Sequence, residues 1–528
     1  MITPLRIGFA SVYAWRPHVE HLMFLANLVR DAGHHAVFLA CDSDLPACYT
    51  RELRDVRPDW MECLLCRAGG VRSYAATGVS SIGDLAQGKH AIREELARDW
   101  SSSSASTLGR FESAADYESG TFIAQRARLM PSVAKAYDAA REWIARERLD
   151  AICVFNGRMD ATRAIFEAAR DAGIRAITLE RSWSGDGIQL LPDENCLGLK
   201  SVHAMVGEWS SKPLTGEQAR AAAARIAARM TATNTTEWRA YNQQARSSDW
   251  PVAGAGRRVL LLPGSMNEIW GHPDWRSEWA EPTAAYDALM ARLGLRPEEL
   301  VLRCHPNWAE KIGRNDGRMA ERYYAGWARR RGVLAIPSAD RTSTMGLIAQ
   351  CDAVVIAGSS AGLEAAAMGK PVISTAEAPY RDAGFRIDAT TAAALDAIAI
   401  DPSMKIAGDE QQRLRRMGLR YSYTTTHRLP QYVNHIRALS SFAYRYEAGA
   451  DPQRFIDLVR TGKLQPDDGR FAPDTRDEDG VVDAMAAGEW QALRVAPGGS
   501  SVPAGRVRRR WMFQPLDFVR ERLPVGDR

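Results

Sequence analysis

The sequence predicts an α/β protein built from two parallel-sheet domains that face each other across a cleft. Its 528 residues are too many for one compact core. Short apolar runs alternate with helical patterns in both halves, and a Gly-containing polar stretch, DWPVAGAGRR, separates the halves. Such alternation is typical of parallel sheets, which bind ligands at the carboxyl ends of their strands.

The first half opens with a strand, a helix and a second strand, a unit whose length suits a parallel pair. Further elements follow up to about residue 210. They are, from the start, a strand at 5–11, a helix at 18–32, the strand HAVFLAC, a helix at 124–148, the strand AICVFNG, a helix at 161–172 and the strand AITLE. We predict a first domain at 1–210. Its residues 70–120, rich in serine and poor in apolar periodicity, are expected to form an irregular insertion.

A linker helix at 211–255 leads into a second half that repeats the alternation. Its elements are the strands RVLLLPG, VLRCHP and GVLAIP, a helix at 343–350, the strand DAVVIAGSS, the helix GLEAAAMG and the strand PVIS. We predict a second domain at 256–400 and a helical extension at 401–528 with the basic tail RVRRRWMFQPLDFVRERL. Both domains are expected to be Rossmann-like.

Composition excludes several protein classes. The 68 basic and 64 acidic residues leave a net charge of +4, so a general nucleic-acid-binding surface is not indicated. No stretch reaches the roughly 18 uncharged apolar residues that span a bilayer, and the first residues lack a signal-peptide pattern. We expect a cytoplasmic protein. Its tail, which mixes Arg with Trp, favours peripheral contact with the anionic inner membrane or, alternatively, packing across the domains.

A small-residue loop joins the strand DAVVIAGSS to the helix after it. The first amides of that helix are unpaired and its dipole is positive there, which favours a phosphate. Ser359 and Ser360 add hydroxyl groups, and Gly358 and Gly362 permit close approach. Glu364, one turn into the helix, is placed to accept from ribose hydroxyls. Alternatively, the serines only cap the helix and Glu364 is an acid favoured by the dipole.

A second polar motif ends another strand of this domain. In VLRCHP, Pro306 stops the strand, and His305 is predicted over the same sheet edge. A lone histidine at a strand end is more often structural. Together with Ser-Ser-x-Gly-x-Glu in the same domain, it predicts a donor-binding site.

The motifs RCHPN and GSSAGLEAAAMGKPVI resemble the donor-binding half of GT-B glycosyltransferases, above all bacterial capsule and surface-polysaccharide biosynthesis proteins, which include the β-Kdo transferases. The resemblance covers most of 255–375. It implies a donor phosphate held by His305, Ser359 and Ser360, and a ribose held by Glu364. The pattern EA-x-x-x-GKP also occurs in sugar-nucleotide 2-epimerases and polyol-phosphate polymerases.

The segment LLPGSMNEIWGHPDW forms the first strand-to-helix turn of the second domain. Its position predicts that Gly264 and Ser265 contact the donor. Glu268 is a further candidate for catalysis, and His272 is a further candidate for the site. A plain polar loop explains the last two equally well.

Polar residues also end two strands of the first domain. Asn156 and Arg158 follow one strand, and Glu180 and Arg181 end the next, so all are expected at the cleft. A carboxylate there suits a general base for an acceptor hydroxyl or a nucleophile in a double displacement. Alternatively, Glu180 only pairs with an arginine. Glu180 is the predicted catalytic residue.

Two further groups of candidates lie in this domain. Asp186 and Asp160 are the catalytic reserves. The pattern YAWRPHVEHL resembles the opening of the same capsule proteins, in which the loop after the first strand meets the acceptor. It implies Arg16, His18 and Glu20 as acceptor ligands, with a helix cap and solvated charge as the alternative.

Four cysteines, Cys41, Cys48, Cys63 and Cys66, form a C-x6-C-x14-C-x2-C set. Four thiolates suit a structural zinc ion, although the first spacing is loose and a small cysteine is common at a buried strand end. No DxD motif has supporting context, so the reaction itself is expected to need no divalent ion or other cofactor.

The expected function is transfer of a sugar from a nucleotide donor to a surface polysaccharide or lipid-linked glycan, such as capsule or lipopolysaccharide. By resemblance, a CMP-linked acidic sugar such as Kdo is the leading donor, with UDP-sugars next. Two alternatives stay open. One is an epimerase that acts on the nucleotide sugar alone, and the other is a non-catalytic polysaccharide assembly or export protein.

Overall fold

The structure, a computed structural model, describes residues 3–54, 56–237, 242–254, 256–312, 315–401, 403–494 and 507–522. It contains two six-stranded sheets. The first is formed by β1 (Arg6–Ser11), β2 (His35–Ala40), β3 (Val79–Ser81), β4 (Ala151–Phe155), β5 (Arg175–Arg181) and β6 (Ile188–Pro192). Then come β7 (Val259–Leu262), β8 (Leu300–Arg303), the small hairpin β9 (Lys311–Ile312) and β10 (Asn315–Asp316), and β11 (Leu334–Ile336), β12 (Ala353–Ile356), β13 (Val372–Ser374) and β14 (Arg386–Asp388).

The two sheets have the same strand order. It is β3-β2-β1-β4-β5-β6 in the first and β11-β8-β7-β12-β13-β14 in the second. All neighbours are parallel except β5 and β6, and β4 and β12 are buried along their whole length, as expected when helices cover both faces. This is the doubly wound order of Rossmann-like domains. The predicted fold class, two such domains in the GT-B arrangement, is confirmed.

Helices cover the two sheets and connect them. Those of the first half are α1 (His18–Asp31), α2 (Tyr49–Arg54), α3 (Asp59–Gly69), α4 (Ile82–Leu85), α5 (Glu94–Gly109), α6 (Ala114–Tyr117), α7 (Gly120–Glu147) and α8 (Asp160–Asp171). Next come α9 (Lys200–Ser210), α10 (Gly216–Met230), α11 (Met266–Ile269), α12 (Pro282–Leu293), α13 (Arg318–Arg331), α14 (Thr344–Gln350), α15 (Ala361–Ala367) and α16 (Ala392–Asp396). In the parts of the chain given above, no helix is both long and apolar enough to cross a bilayer.

The helices predicted at 18–32, 124–148 and 161–172 correspond to α1, α7 and α8, with ends shifted by a few residues. The shifts arise at the caps. The hydroxyl of Ser119 accepts a hydrogen bond from the Phe122 amide and starts α7 four residues earlier than the periodicity indicates.

The irregular insertion expected at 70–120 is wrong. This segment supplies β3 at the edge of the first sheet and the 16-residue helix α5. The serines of α5 are buried against α7 because their small side chains allow close approach. The hydroxyl groups of Ser101 and Ser102 are satisfied by the Arg98 carbonyl at 3.1 and 2.7 Å.

The region after residue 400, predicted as a helical extension, contains four α-helices among its described residues and packs against both domains. It contains α17 (Gly408–Tyr423), the hairpin β15 (Ile436–Ala438) and β16 (Tyr444–Tyr446), α18 (Pro452–Thr461), α19 (Arg476–Ala486) and α20 (Gln514–Arg522). Tyr446 and Phe455 pack into the core of the first domain. Leu414 and Val482 pack into the core of the second. The crossing holds the two sheets in one assembly.

Candidate functional site

The carboxyl ends of the two sheets border one cleft of about 1060 Å³. This volume is sufficient for a nucleotide sugar with part of a second substrate. The predicted residues that line it are Glu180, Arg181, Gly264, Ser265, Glu268, His305, Pro306, Ser359, Ser360 and Glu364. Those that do not line it are Arg16, His18, Asn156, Arg158, Asp186 and Gly362. Residues from both domains therefore meet in one place.

The loop between β12 and α15 borders the cleft with two serines that differ in their contacts. The Ser359 hydroxyl accepts from the Ala361 amide at 3.3 Å, and its carbonyl accepts from the Tyr380 hydroxyl at 2.9 Å. Ser360 begins α15, is exposed, and makes no capping bond with its side chain. The capping explanation thus holds for Ser359, whereas the Ser360 hydroxyl does not cap the helix and borders the cleft.

Glu364 is 3% exposed and lies in α15 at the wall of the cleft. Its Oε1 accepts from Arg229 Nη1 at 2.6 Å. Its Oε2 is buried and has no hydrogen-bond partner among the described residues. A buried carboxylate oxygen without a donor is unfavourable, so this atom is suited to accept from a ligand hydroxyl.

Arg229 belongs to α10, the helix between the domains, and sequence analysis did not identify it. Its Nε donates to both carboxylate oxygens of Glu237 at 2.9 Å. The guanidinium therefore joins two carboxylates at the cleft wall and sets the orientation of Glu364. Glu364 is 135 residues away along the chain, so no local pattern could have revealed this contact.

His305 lies two residues after the end of β8 and borders the cleft. Its Nδ1 accepts from the Asn307 amide at 3.2 Å, which leaves the ring proton on Nε2. Burial lowers the pKa of His305 to about 4, so the ring is neutral at pH 7. It can donate a hydrogen bond to a phosphate oxygen, but it does not bring a full positive charge in the unliganded state. Pro306 begins the short turn that follows.

The glycines of this domain serve packing. A Cβ on Gly264 would lie 2.2 Å from the Ala357 carbonyl oxygen, so only glycine lets the loops after β7 and β12 approach each other. A Cβ on Gly362 would lie 2.9 Å from the Tyr380 ring. The close approach at Gly362 is therefore to the Tyr380 ring, and Gly362 is not among the residues that line the cleft. Ser265 lines the cleft and accepts from Trp308 Nε1 at 3.1 Å.

Glu180 ends β5 on the opposite side of the cleft. Its Oε1 lies 2.5 Å from His18 Nε2, and its Oε2 accepts from Asn156 Nδ2 at 3.3 Å. Burial by itself would raise the pKa of Glu180, but His18 and Arg181 outweigh it and lower the pKa to about 2. The carboxylate is therefore ionised at any physiological pH.

The residues around Glu180 divide into cleft and support positions. His18 and Asn156 were predicted on the acceptor side. Both contact the Glu180 carboxylate, and neither lines the cleft. Arg158 donates to the Ser103 hydroxyl at 2.8 Å and is likewise outside the cleft lining. Arg181 lines the cleft.

The reserve carboxylates hold structure instead of lining the cleft. Asp186 is paired with Arg225 at 2.9 Å and Arg437 at 3.3 Å. Asp160 is fully buried, accepts from the Tyr13 hydroxyl, and has a pKa that burial raises to about 6. The sequence does not reveal the direction of a side chain, so it could not show that these two reserve carboxylates are bound by other residues and do not line the cleft.

Of the other predicted loop residues, one lines the cleft and three do not. Glu268 lines the cleft, whereas His272 accepts from the Asp274 amide at 3.2 Å and is absent from the lining. Arg16 contacts Glu20 at 3.1 Å and Asp517 at 2.7 Å. Arg16 and Glu20 are thus engaged with each other and with α20, away from the cleft.

The four predicted cysteine ligands border one small cavity of about 40 Å³. Burial raises the pKa of Cys41, of Cys48 and of Cys66, the last to about 11, so these side chains are thiols when no ion is bound. Among the described residues, no group of three or more His, Cys, Asp or Glu side chains is arranged to hold a metal ion. The geometry gives the zinc prediction no support.

Trp183 was also not identified from the sequence. It follows β5, lines the cleft and is 39% exposed. An exposed tryptophan in a cleft offers a flat apolar face to a sugar or base. The signal was present in the sequence as a bulky aromatic residue two positions after Arg181, the last residue of β5.

Comparison with known proteins gave matches among solved structures alone: no family model and no curated protein matches the chain. It is similar to a Thermosulfurimonas dismutans KpsC β-Kdo 2,4-transferase, with 13% identity, TM-score 0.31, and coverage of 64% of this chain and 87% of that one. It is also similar to a putative UDP-N-acetylglucosamine 2-epimerase from Listeria monocytogenes, with 12% identity, TM-score 0.27, and coverage of 89% of this chain and 100% of that one. The glycosyltransferase SnogD from Streptomyces nogalater is a further match, with 14% identity, TM-score 0.26, and coverage of 87% of this chain and 100% of that one. Similarities this low carry no conclusion about function, and the fold rests on the strand order of the chain itself.

Proposed function

We propose that the protein is a glycosyltransferase that moves a sugar from a nucleotide donor to a surface polysaccharide or lipid-linked glycan. The observation that carries the proposal is the buried, unpartnered Oε2 of Glu364 at the wall of a cleft. Ser360 and His305 border the same cleft from the second domain, and Glu180 borders it from the first. A nucleotide sugar has complementary groups for each of them.

In the proposed donor complex the ribose hydroxyls donate to Glu364. The donor phosphate accepts from the Ser360 hydroxyl and from Nε2–H of His305. Because both donors are neutral, they stabilise the phosphate by hydrogen bonds instead of by ion pairing. When the nucleotide leaves, the extra charge on its phosphate strengthens these bonds, which is the condition for stabilising the transition state.

Glu180 is the proposed nucleophile. A general base with a pKa near 2 holds a proton poorly at pH 7, whereas an ionised carboxylate is ready to attack. One of its oxygens bonds to the anomeric carbon while the bond from that carbon to the phosphate oxygen breaks, and the nucleotide leaves with the electron pair. The acceptor hydroxyl then attacks the same carbon, releases its proton to water and frees Glu180.

A CMP-linked acidic sugar such as Kdo is the leading donor, with a UDP-sugar next. The motif resemblance suggests it, and Arg181, which lines the cleft beside Glu180, offers a cation to a sugar carboxylate. The transfer is proposed to need neither a divalent ion nor another cofactor. The proposed place of action is the cytoplasmic face of the inner membrane.

The test begins with nucleotide binding. CMP, CDP, UDP and GDP are compared by thermal shift against the wild type and His305→Ala. Stabilisation by one nucleotide, lost in the variant, supports the donor site and selects the donor class. Absence of a shift with every nucleotide would contradict the proposal and favour a non-catalytic assembly protein.

The second step separates transfer from epimerisation. The selected nucleotide sugar is incubated with and without a glycan acceptor, in buffer containing EDTA. A glycosyltransferase forms product only when acceptor is present. Conversion of the nucleotide sugar to its epimer without acceptor would replace the proposal by the epimerase alternative.

A further inference from the structure

Exposed apolar side chains are concentrated on two segments of the described chain, α3 with the residues before it and the C-terminal segment 511–519. Trp60 is 65% exposed and Trp511 is 78% exposed. We call the exposed residues of both segments the α3–tail surface. They are Val56, Trp60, Leu64, Leu65, Trp511, Met512, Phe518 and Val519. Such a concentration on one side of a protein marks an interaction site.

The two segments are joined by hydrogen bonds. Arg509 Nη2 donates to the carbonyl of Ala68, near the end of α3, at 2.5 Å. The Arg510 amide donates to the Ser73 carbonyl at 2.7 Å. On α3 itself, Trp60 and Leu64 are four residues apart and therefore lie on one face. The apolar groups of both segments thus belong to one region of the surface.

The charged residues of this region favour an anionic partner. Arg57, Arg67, Arg508 and Arg510 are exposed. The carboxylate of Glu62 is buried and bonded to Arg54 and Arg57. Asp517 is bonded to Arg16 and Arg509. A third acid, Asp59 of α3, is exposed and lies 3.9 Å from Arg51. Among the described residues around the apolar groups, the exposed arginines therefore outnumber the exposed acids.

The α3–tail surface is connected through Arg16 to the segment that supports Glu180. Arg16 Nη2 donates to Asp517 in α20 at 2.7 Å. Two residues further along the chain, His18 bonds to Glu180 at the cleft. A partner bound to this surface would therefore contact the domain that carries Glu180.

We propose that the α3–tail surface binds the interface of an anionic lipid bilayer. Tryptophan and leucine side chains insert among the acyl chains and headgroups, while arginines contact lipid phosphates. Membrane binding at this surface uses the helix α3 as well as the C-terminal segment. It does not depend on which sugar is transferred, because membrane binding is measured without turnover.

The experiment is co-sedimentation of the full chain with vesicles of phosphatidylethanolamine and phosphatidylglycerol, and with vesicles of phosphatidylcholine alone. We expect binding to the anionic vesicles that salt weakens. Trp60→Ser combined with Trp511→Ser should lower the partition coefficient about tenfold or more. Leu439→Ser, which alters an apolar residue 63% exposed elsewhere, is the matched control and should bind as the wild type does.

Other outcomes overturn the inference. Equal binding to neutral and anionic vesicles, or wild-type binding by the double variant, would exclude this surface as an anionic-membrane site. The alternative occupant is a second copy of the chain, which sedimentation without lipid tests. If the wild type is a dimer, the double variant is a monomer and neither binds vesicles, the surface is a dimer interface instead. An unchanged nucleotide-induced thermal shift in each variant keeps these results separate from a failure of the donor site.

Discussion

Arg229 Nη1 donates to Glu364 Oε1 at 2.6 Å and so links the helix between the domains to the wall of the cleft. One turn earlier on the same helix, Arg225 contacts Asp186 in the first domain at 2.9 Å. The helix α10 therefore holds a loop of one domain and a proposed ligand residue of the other. The geometry of the cleft depends on both contacts.

Replacing Arg229 by Met should weaken nucleotide binding about tenfold or more, because Glu364 loses the donor that orients it. The wild type should bind CMP more tightly than 2′-deoxy-CMP, and both Arg229→Met and Glu364→Gln should lose this preference. Titration calorimetry below the melting temperature of each variant measures it. Arg220→Met, on the exposed side of α10, is the control. If Arg229→Met keeps the preference, Arg229 serves stability alone.

Ser360→Ala should weaken binding of a nucleotide about tenfold, since the loss of one hydrogen bond to a charged group costs about 1.5 kcal/mol. Binding of the nucleoside, which lacks the phosphate, should not change. Ser359→Ala provides the comparison, because its hydroxyl is engaged with the Ala361 amide, and its effect should be smaller. Equal loss for nucleotide and nucleoside would contradict a phosphate contact by Ser360.

Glu180→Gln should lower kcat by roughly a thousandfold or more while nucleotide affinity stays unchanged. Mass spectrometry of the wild type mixed with donor alone should detect the sugar attached to a peptide that contains Glu180. Asp186→Asn is the control and should keep turnover, because Asp186 does not line the cleft. Full turnover in Glu180→Gln would remove Glu180 from the mechanism.

The pH profile gives a second test of Glu180. Its pKa, about 2, lies below the ordinary value near 4.5, so its ionised form stabilises the fold above pH 4.5, and this stabilisation is lost as the pH falls toward 2. Turnover should therefore show no acid limb from Glu180 between pH 7 and pH 4. An acid limb near pH 6 that Glu180→Gln abolishes would mean that its pKa is raised instead.

Glu112 should make stability depend on pH in the opposite direction. It is buried where the domains meet and accepts from the Met266 amide at 3.1 Å and the Tyr324 hydroxyl at 3.0 Å. Burial raises its pKa to about 8. Its contribution to stability is therefore complete below the ordinary pKa near 4.5 and is lost as the pH rises through 8.

Glu112→Gln tests this by calorimetry. The variant should melt a few degrees above the wild type at pH 8.5 and close to it at pH 5, because the amide carries no charge to desolvate. Glu281→Gln, a half-buried carboxylate of the same interface that accepts from the Ala114 amide, is the control. A difference between Glu112→Gln and the wild type that does not vary with pH would contradict the raised pKa.

Sequence reasoning was most successful for residues at the ends of parallel strands. Glu180, His305 and Ser360 follow or end buried strands, and sheet topology brings all such ends to one edge, so each lies at the cleft. It failed where side-chain direction matters. Asp186 occupies an equally suitable loop, yet it does not line the cleft, because Arg225 of the helix between the domains and Arg437 of the C-terminal region bind it.

The sequence by itself determined the two repeated α/β units, the strand-end motifs and the alternation that buries each sheet, because periodicity and strand ends are local properties of the chain. Only the tertiary structure decided that Arg229 orients Glu364, that His18 and Asn156 support Glu180, and that the serine-rich segment is a packed helix. These depend on contacts between residues far apart along the chain. Such contacts form only after both sheets and the crossing C-terminal region have packed, and no local pattern records them.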